Sequence, residues 1–317
     1  MATRQIISKH INVASGDYIG RDGELWIDTE TNTMRVSDGA TPGGVTLTTD
    51  GDITSTWANI TDINNGSGPS KIAVGFDAGS TSQGTSGIAI GNAAGSNTQG
   101  NFSVAIGATA GQTTQGTLAV AVGPSAGSTN QSAEATAVGS RAGYTGQSGY
   151  AVAVGSTAGD TSQGSAAVAI GTGAGSDTQG GSAVAVGYYA GNDEQGGSAV
   201  AVGVEAGKTT QSTLAVAVGY RAGYTTQGTS AVAIGNAAGW TGQGVDAVAI
   251  GKDAGATNQA ANSIIINATG AALNNIVEDV FIVKPVRNGG AGALPTGFHA
   301  VAYNPTTGEF AYYGSVG

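Results

Sequence analysis

One short alternation runs through most of the chain. Val-Ala-Ile-Gly at 104–107, Val-Ala-Val-Gly at 120–123 and Val-Ala-Ile-Gly at 168–171 are copies of one pattern. Apolar residues at every second position are the period of a strand, not of a helix. The glycine closing the pattern recurs every sixteen residues, twelve times from Gly75 to Gly251, without an insertion. Four residues later a second glycine follows, always preceded by alanine (Ala78 to Ala254), and eight residues after the first glycine there is always glutamine (Gln83 to Gln259). Unbroken spacing makes each unit geometrically equivalent to the next, and sixteen residues are too few for two helices and a turn. The prediction is a parallel β-solenoid (a β-roll) of twelve 16-residue coils over residues 70–261. Each coil holds a short strand, a glycine corner, a second extended piece and a return turn. Stacked at ~4.8 Å, twelve coils make a rod of about 58 Å.

Alternation also sorts the strand into two faces. The positions flanking the strand alanine are Val or Ile in every unit except at Thr136. Their bulk assigns them to the coil interior. The strand alanines, Ala73 through Ala249, then point outward, together with a second alanine column from Ala119 to Ala247. Two branched aliphatics in sixteen residues make a thin core, and a solvent-facing surface has no need of alanine in every copy. The expectation is therefore a seam of small residues packing against other copies of the chain, with a solitary rod bearing a plain alanine face as the alternative. The glutamine column is expected to form an amide ladder along the axis.

The ends read differently. Gly23–Thr29 and Arg35–Gly39 flank a Glu-Thr-Asn-Thr turn and predict two strands, within an N-terminal β-rich attachment module at 1–50. Residues 51–69, rich in Gly, Asn, Ser and Asp, read as a linker. The repeat decays at Ile264-Ile265-Ile266-Asn267, with Asn275 where glutamine is due, so 262–317 reads as a C-terminal cap. Phe281, Phe298, Tyr303, Phe310, Tyr312 and Tyr313 supply its bulk, and Ala302–Phe310 reads as a hairpin turning at Pro305 and Gly308. Caps have a physical purpose, because an open solenoid end exposes unpaired strand edges.

Ser103-Val104-Ala105-Ile106-Gly107 and its copies resemble the head repeats of trimeric autotransporter adhesins, over about 60% of the chain, although the period here is longer. That resemblance implies a left-handed parallel β-roll in which three chains pack along a common axis. The 23–39 segment resembles N-terminal modules of phage tail-fibre and tropism-determinant proteins. The 302–310 segment resembles the ends of viral fibre proteins, often found ahead of a self-cleaving chaperone domain, which was either removed after Gly317 or never present. These resemblances imply a homotrimeric structural fibre of a virion, a bacteriophage-like tail fibre, anchored to a baseplate or other support through its N-terminal module.

Composition narrows the chemistry. Glycine accounts for 56 of 317 residues and charged residues for only 10%, so tight turns and close packing dominate. Eleven basic residues against a net charge of −10 give no electrostatic footprint for nucleic acid. The absence of cysteine removes disulfides and thiol chemistry. The two histidines, His10 and His299, stand at opposite ends of the chain, and no Walker-type lysine accompanies the glycines. No enzyme, cofactor or metal site is expected. Asp177 and Asp193 share a column in adjacent coils, either as a solvated acid pair or as a seat for a cation. No secretory signal, and no apolar run long enough to span a membrane as a helix, is seen, so a virion is expected over the standard export route.

The variable columns carry whatever recognition exists. Lys208, Tyr224 and Trp240 stack in one, Glu205 and Arg221 in another, and Tyr188, Tyr189 and Tyr220 fall on the same part of the rod. Exposed aromatics beside polar groups suit sugar faces or protein contacts. The candidate glycan- or receptor-binding residues are therefore Tyr188, Tyr189, Lys208, Tyr220, Arg221, Tyr224 and Trp240; tolerated turn residues are the alternative. Besides a virion attachment fibre, a cell-surface adhesin or extracellular filament subunit fits the repeat. Ice binding is a third reading, from a threonine column that Asn97, Asp177 and Asp193 interrupt.

Overall fold

The computed structural model describes residues 70–286 continuously. It also describes the strands Leu25–Asp28, Thr33–Val36, Val45–Leu47, Ile60–Thr61, Val301–Asn304 and Glu309–Tyr312 and a few residues beside them. The chain divides into two compact units, Met1–Thr61 and Asp62–Gly317.

In the first unit Leu25–Asp28 pairs antiparallel with Thr33–Val36, as the turn signal predicts, and Thr33–Val36 pairs in turn with Val45–Leu47. Ile60–Thr61 is a short strand inside the stretch read as a linker, most of which lies outside the described residues.

The second unit is an all-β parallel solenoid of about thirteen turns at sixteen-residue spacing. Every repeat contributes a three-residue strand to one long sheet, in which Ile72–Val74 is followed coil by coil to the four-residue strands Ile264–Asn267 and Phe281–Lys284. Equivalent residues pair in register: Val104 with Val120, Ala105 with Ala121, Ile106 with Val122. The Thr-x-Gln segments form the second extended piece, as at Thr113–Gln115, which pairs with Asn97–Gln99 and Thr129–Gln131. This second ladder thins to isolated bridges around Thr145, Thr161 and Gln179, then resumes at Asp193–Gln195. Among the described residues no helix is long and apolar enough to cross a membrane.

The corners explain the glycines. Gly107 has φ +129°, and a Cβ there would lie 2.5 Å from the Gly123 carbonyl oxygen of the next coil. Gly111 has φ +53°, and its Cβ would lie 2.7 Å from the Gln115 side-chain amide carbon. Three further columns hold left-handed backbone in residues other than glycine, as at Thr109, Thr114 and Leu118. That conformation costs about 1–2 kcal/mol per residue for an L-amino acid. The backbone bonds to neighbouring coils, such as Thr109 N to Asn92 O and Leu118 N to Asn101 O, hold it in place.

The assignment of the two strand faces is the reverse of the sequence expectation. The strand alanines from Ala89 to Ala249 are wholly buried, as is the Ala119–Ala247 column, and so are the corner alanines from Ala94 to Ala254. The Val and Ile columns face outward and are half-exposed, with Ile106 at 37% and Ile170 at 40%. The alanines are thus not a seam between copies; they are the core. The reason is volume. A sixteen-residue coil closes around its own glutamine, which is 0% exposed at Gln147, Gln163 and Gln227. Beside that amide there is space for methyl groups and no more. A Cβ on Gly239 would come within 2.7 Å of the Gln243 Oε1 and 3.1 Å of the Ala233 Cβ.

The glutamines form the expected ladder. From Gln115 to Gln259 each Nε2 donates to the Oε1 of the next, at 2.9–3.2 Å. The same Nε2 also donates to a carbonyl of its own coil, as Gln163 does to Val152 O at 2.9 Å. A buried amide surrounded by alanine is therefore satisfied along the axis and across the coil. The ladder begins at Gln115; the Oε1 atoms of Gln99 and Gln115 are buried without a partner.

The core ends at the decayed repeat. Ile265 replaces the strand alanine and is wholly buried, and Leu273 and Ile282 pack against the same cluster. These residues close the coil, whereas Phe281, expected to add bulk to the cap, is 50% exposed. The C-terminal hairpin pairs Ala302 with Ala311 and Tyr303 with Phe310. Phe298, Tyr313 and the hairpin turn lie outside the described residues.

Candidate functional site

Each coil turns its first corner between its two glycines, and side chains at the two turn positions and just past the second glycine stand outside. In most coils these are small. Each of four consecutive coils, opening at Gly187, Gly203, Gly219 and Gly235, carries at least one large aromatic or charged side chain there. All seven predicted residues share this corner: Tyr188 and Tyr189 on the first coil, Lys208 on the second, Tyr220, Arg221 and Tyr224 on the third, and Trp240 on the fourth.

The group is built around Glu205, a residue sequence reasoning placed in a column with Arg221 but not in the site. Its carboxylate accepts from Lys208 Nζ at 2.6 Å and from Arg221 Nε at 2.7 Å, with a side chain only 13% exposed. Sixteen residues separate Glu205 from Arg221 and three separate it from Lys208. The bond from Lys208 first, and that from Arg221 second, hold the Glu205 carboxyl below the usual carboxylate range. The same bonds raise Lys208 and Arg221 above their ordinary values. Opposed-sign column neighbours were the signal that could have found this residue.

The rings are arranged around the two cations. Lys208 Nζ lies 5.4 Å from the Tyr189 ring centroid and 5.3 Å from that of Tyr224. Arg221 lies 5.0 Å from Tyr220 and 5.4 Å from Tyr224. These are cation–π distances. Tyr188 and Tyr189 meet edge to face at 4.4 Å, and Tyr224 and Trp240 are 6.5 Å apart. Gly173 makes space for this stack, since a Cβ there would lie 2.6 Å from the Tyr189 ring. Tyr188, Tyr220 and Trp240 are the exposed members.

A smaller copy of the motif, not foreseen, occupies the same corner nearer the N-terminus. Arg141 pairs with Asp160 at 3.0 Å and covers the Tyr144 ring at 4.4 Å. On the Thr-x-Gln face, Asp193 is pushed up, first by burial and then by the charge of Asp177. Among the described residues no group of three or more His, Cys, Asp or Glu could hold a metal ion. Both histidines lie outside the described residues.

No family profile, curated protein or solved structure matches this chain.

Proposed function

We propose that this chain is a structural rod protein of a virion appendage, of the tail-fibre kind. It assembles as a homotrimer and uses the Glu205 corner to attach to a host surface. The observation that supports this reading is the outward pair of Val and Ile columns. They make an apolar stripe along the long sheet, broken only at Thr136 among the repeats and extended by Ile264 at 39% exposure. An apolar stripe of about 58 Å at the coil spacing favours burial against other copies. Three rods placing their stripes against one axis bury all of them together. That arrangement agrees with the resemblance of the repeat, with the Val and Ile columns taking the place of the alanine rows as the seam. The Ile265 plug ends the regular interior, which favours a rod of defined length over an open-ended filament.

Native mass spectrometry of the full chain tests the assembly. The expected result is a species of three chain masses, and the double variant Val168→Lys/Ile170→Lys is expected to yield monomers that keep their β-rich circular dichroism. A monomeric wild-type chain overturns the reading.

A further inference from the structure

Large residues occupy the Glu205 corner on four successive coils, so the rings and charges rise along the rod axis by one coil at a time. Three steps of ~4.8 Å span about 14 Å along the axis. Tyr188 and Tyr220 occupy the same turn position two coils apart, and Trp240, just past the second glycine of the next coil, stands in the neighbouring column, at 51%, 46% and 40% exposure. Exposed rings set along the axis in two neighbouring columns are complementary to an extended polymer lying along the rod.

The charges of the corner are committed to one another. Lys208 is held by Glu205 and lies 3.5 Å from the Tyr224 hydroxyl, and Arg221 gives its Nε to Glu205. An anionic ligand would have to compete with Glu205 for both cations and would approach a chain of net charge −10. What the corner presents outward is ring face, tyrosine hydroxyl and the remaining guanidinium N–H groups. Ring faces stack on the C–H faces of sugars, while the hydroxyl and guanidinium groups hydrogen-bond to sugar hydroxyls. The geometry points to a neutral, extended oligosaccharide of roughly three sugar rings as the ligand, lying along the rod axis across Tyr188, Tyr220 and Trp240. This rests on the attachment reading above and names its ligand class. Glu205 is a positioning residue, fixing Lys208 and Arg221 against the rings.

The test is calorimetric titration of the full-length wild-type protein with malto-, cello- and chito-oligosaccharides of increasing length, and with polygalacturonate oligomers as the anionic arm. At least one neutral series is expected to bind, with affinity rising to about the trimer and then levelling. Tyr220→Ala and Trp240→Ala are each expected to weaken it roughly tenfold. In the wild type, affinity is expected to fall as acid protonates Glu205; in Glu205→Gln it starts lower and no longer depends on pH there. No binding by any neutral series, binding by polygalacturonate alone, affinity independent of length, or unchanged affinity in both aromatic variants overturns the inference. A trimeric mass with any of those results leaves the assembly reading standing, whereas a monomeric mass sinks that reading whatever the sugars do.

Discussion

Gln163 stands directly beneath Gln179 of the next coil and donates to its Oε1 at 3.1 Å, while Gln147 donates to Gln163 Oε1 at 3.0 Å from the coil on the other side. Each glutamine is thus a partner of two coils as well as the filler of its own. The interior of this rod is a row of amides sheathed in methyl groups, and coil stacking depends on it as much as on the backbone ladders.

Gln163→Met keeps the volume but strips the donor from Val152 O and Gln179 Oε1 and the acceptor from Gln147. Leaving these buried groups unpaired is expected to cost about 2–5 kcal/mol. Gln83 is only half-buried and has no glutamine partner, so Gln83→Met should cost about 1 kcal/mol or less. Chemical denaturation gives the comparison, and amide exchange should show the Gln163 variant opening locally around coils 147–179.

Backbone handedness gives a pair of opposite effects. Gly111→Ala sets a methyl against the Gln115 amide at a φ of +53° and is expected to cost more than about 2 kcal/mol. Thr226 holds φ +53° with a β-branched side chain in a column where Gly146 and Gly242 already stand, and it is exposed. Thr226→Gly is expected to gain about 0.5–1 kcal/mol, strain relief exceeding the added freedom of the unfolded chain. Thermal melts of both variants check the signs.

The core tolerates bulk only where the glutamine column ends. Ile265→Ala should leave a cavity costing about 2–5 kcal/mol and expose the end coil to limited proteolysis. Ala169→Ile, inside the amide row, should cost about 3 kcal/mol or more by overpacking, although isoleucine belongs in the same sheet one residue later at Ile170. Equal stability of Ala169→Ile and the parent would contradict the placement of the faces.

Acid acts on two carboxylates in opposite directions. Glu205 is depressed by Lys208 and Arg221, so its contribution is present above the unfolded carboxylate range and is lost as pH falls through its folded value. Asp193 is raised, chiefly by burial and then by Asp177, so it destabilises the fold at neutral pH and the penalty fades as it protonates. Asp193→Thr, which restores the residue usual in that column, is therefore expected to raise Tm at pH 7 and to change it little at pH 3. Glu205→Gln is expected to lower Tm at pH 7 and to flatten its fall on acidification. Melting curves across that range decide both.

Much of this was legible in the chain alone. Sixteen-residue spacing, two glycines per unit and a fixed glutamine require identical stacked coils with left-handed corners and an amide ladder. Column arithmetic likewise brought the seven residues from Tyr188 to Trp240 to one corner, because residues sixteen apart are neighbours in any such stack. Glu205 was in view as a neighbour of Arg221, but only the folded geometry shows one carboxylate gripping both cations.

The repeat by itself determined the period, the strands, the parallel register and the columns. Which strand face lies inside was decided by the tertiary structure. Alternation at a period of two separates Val from Ala and is blind to direction. Direction follows from how much space remains when sixteen residues close around a glutamine side chain, and that space admits Ala233 and excludes Val232.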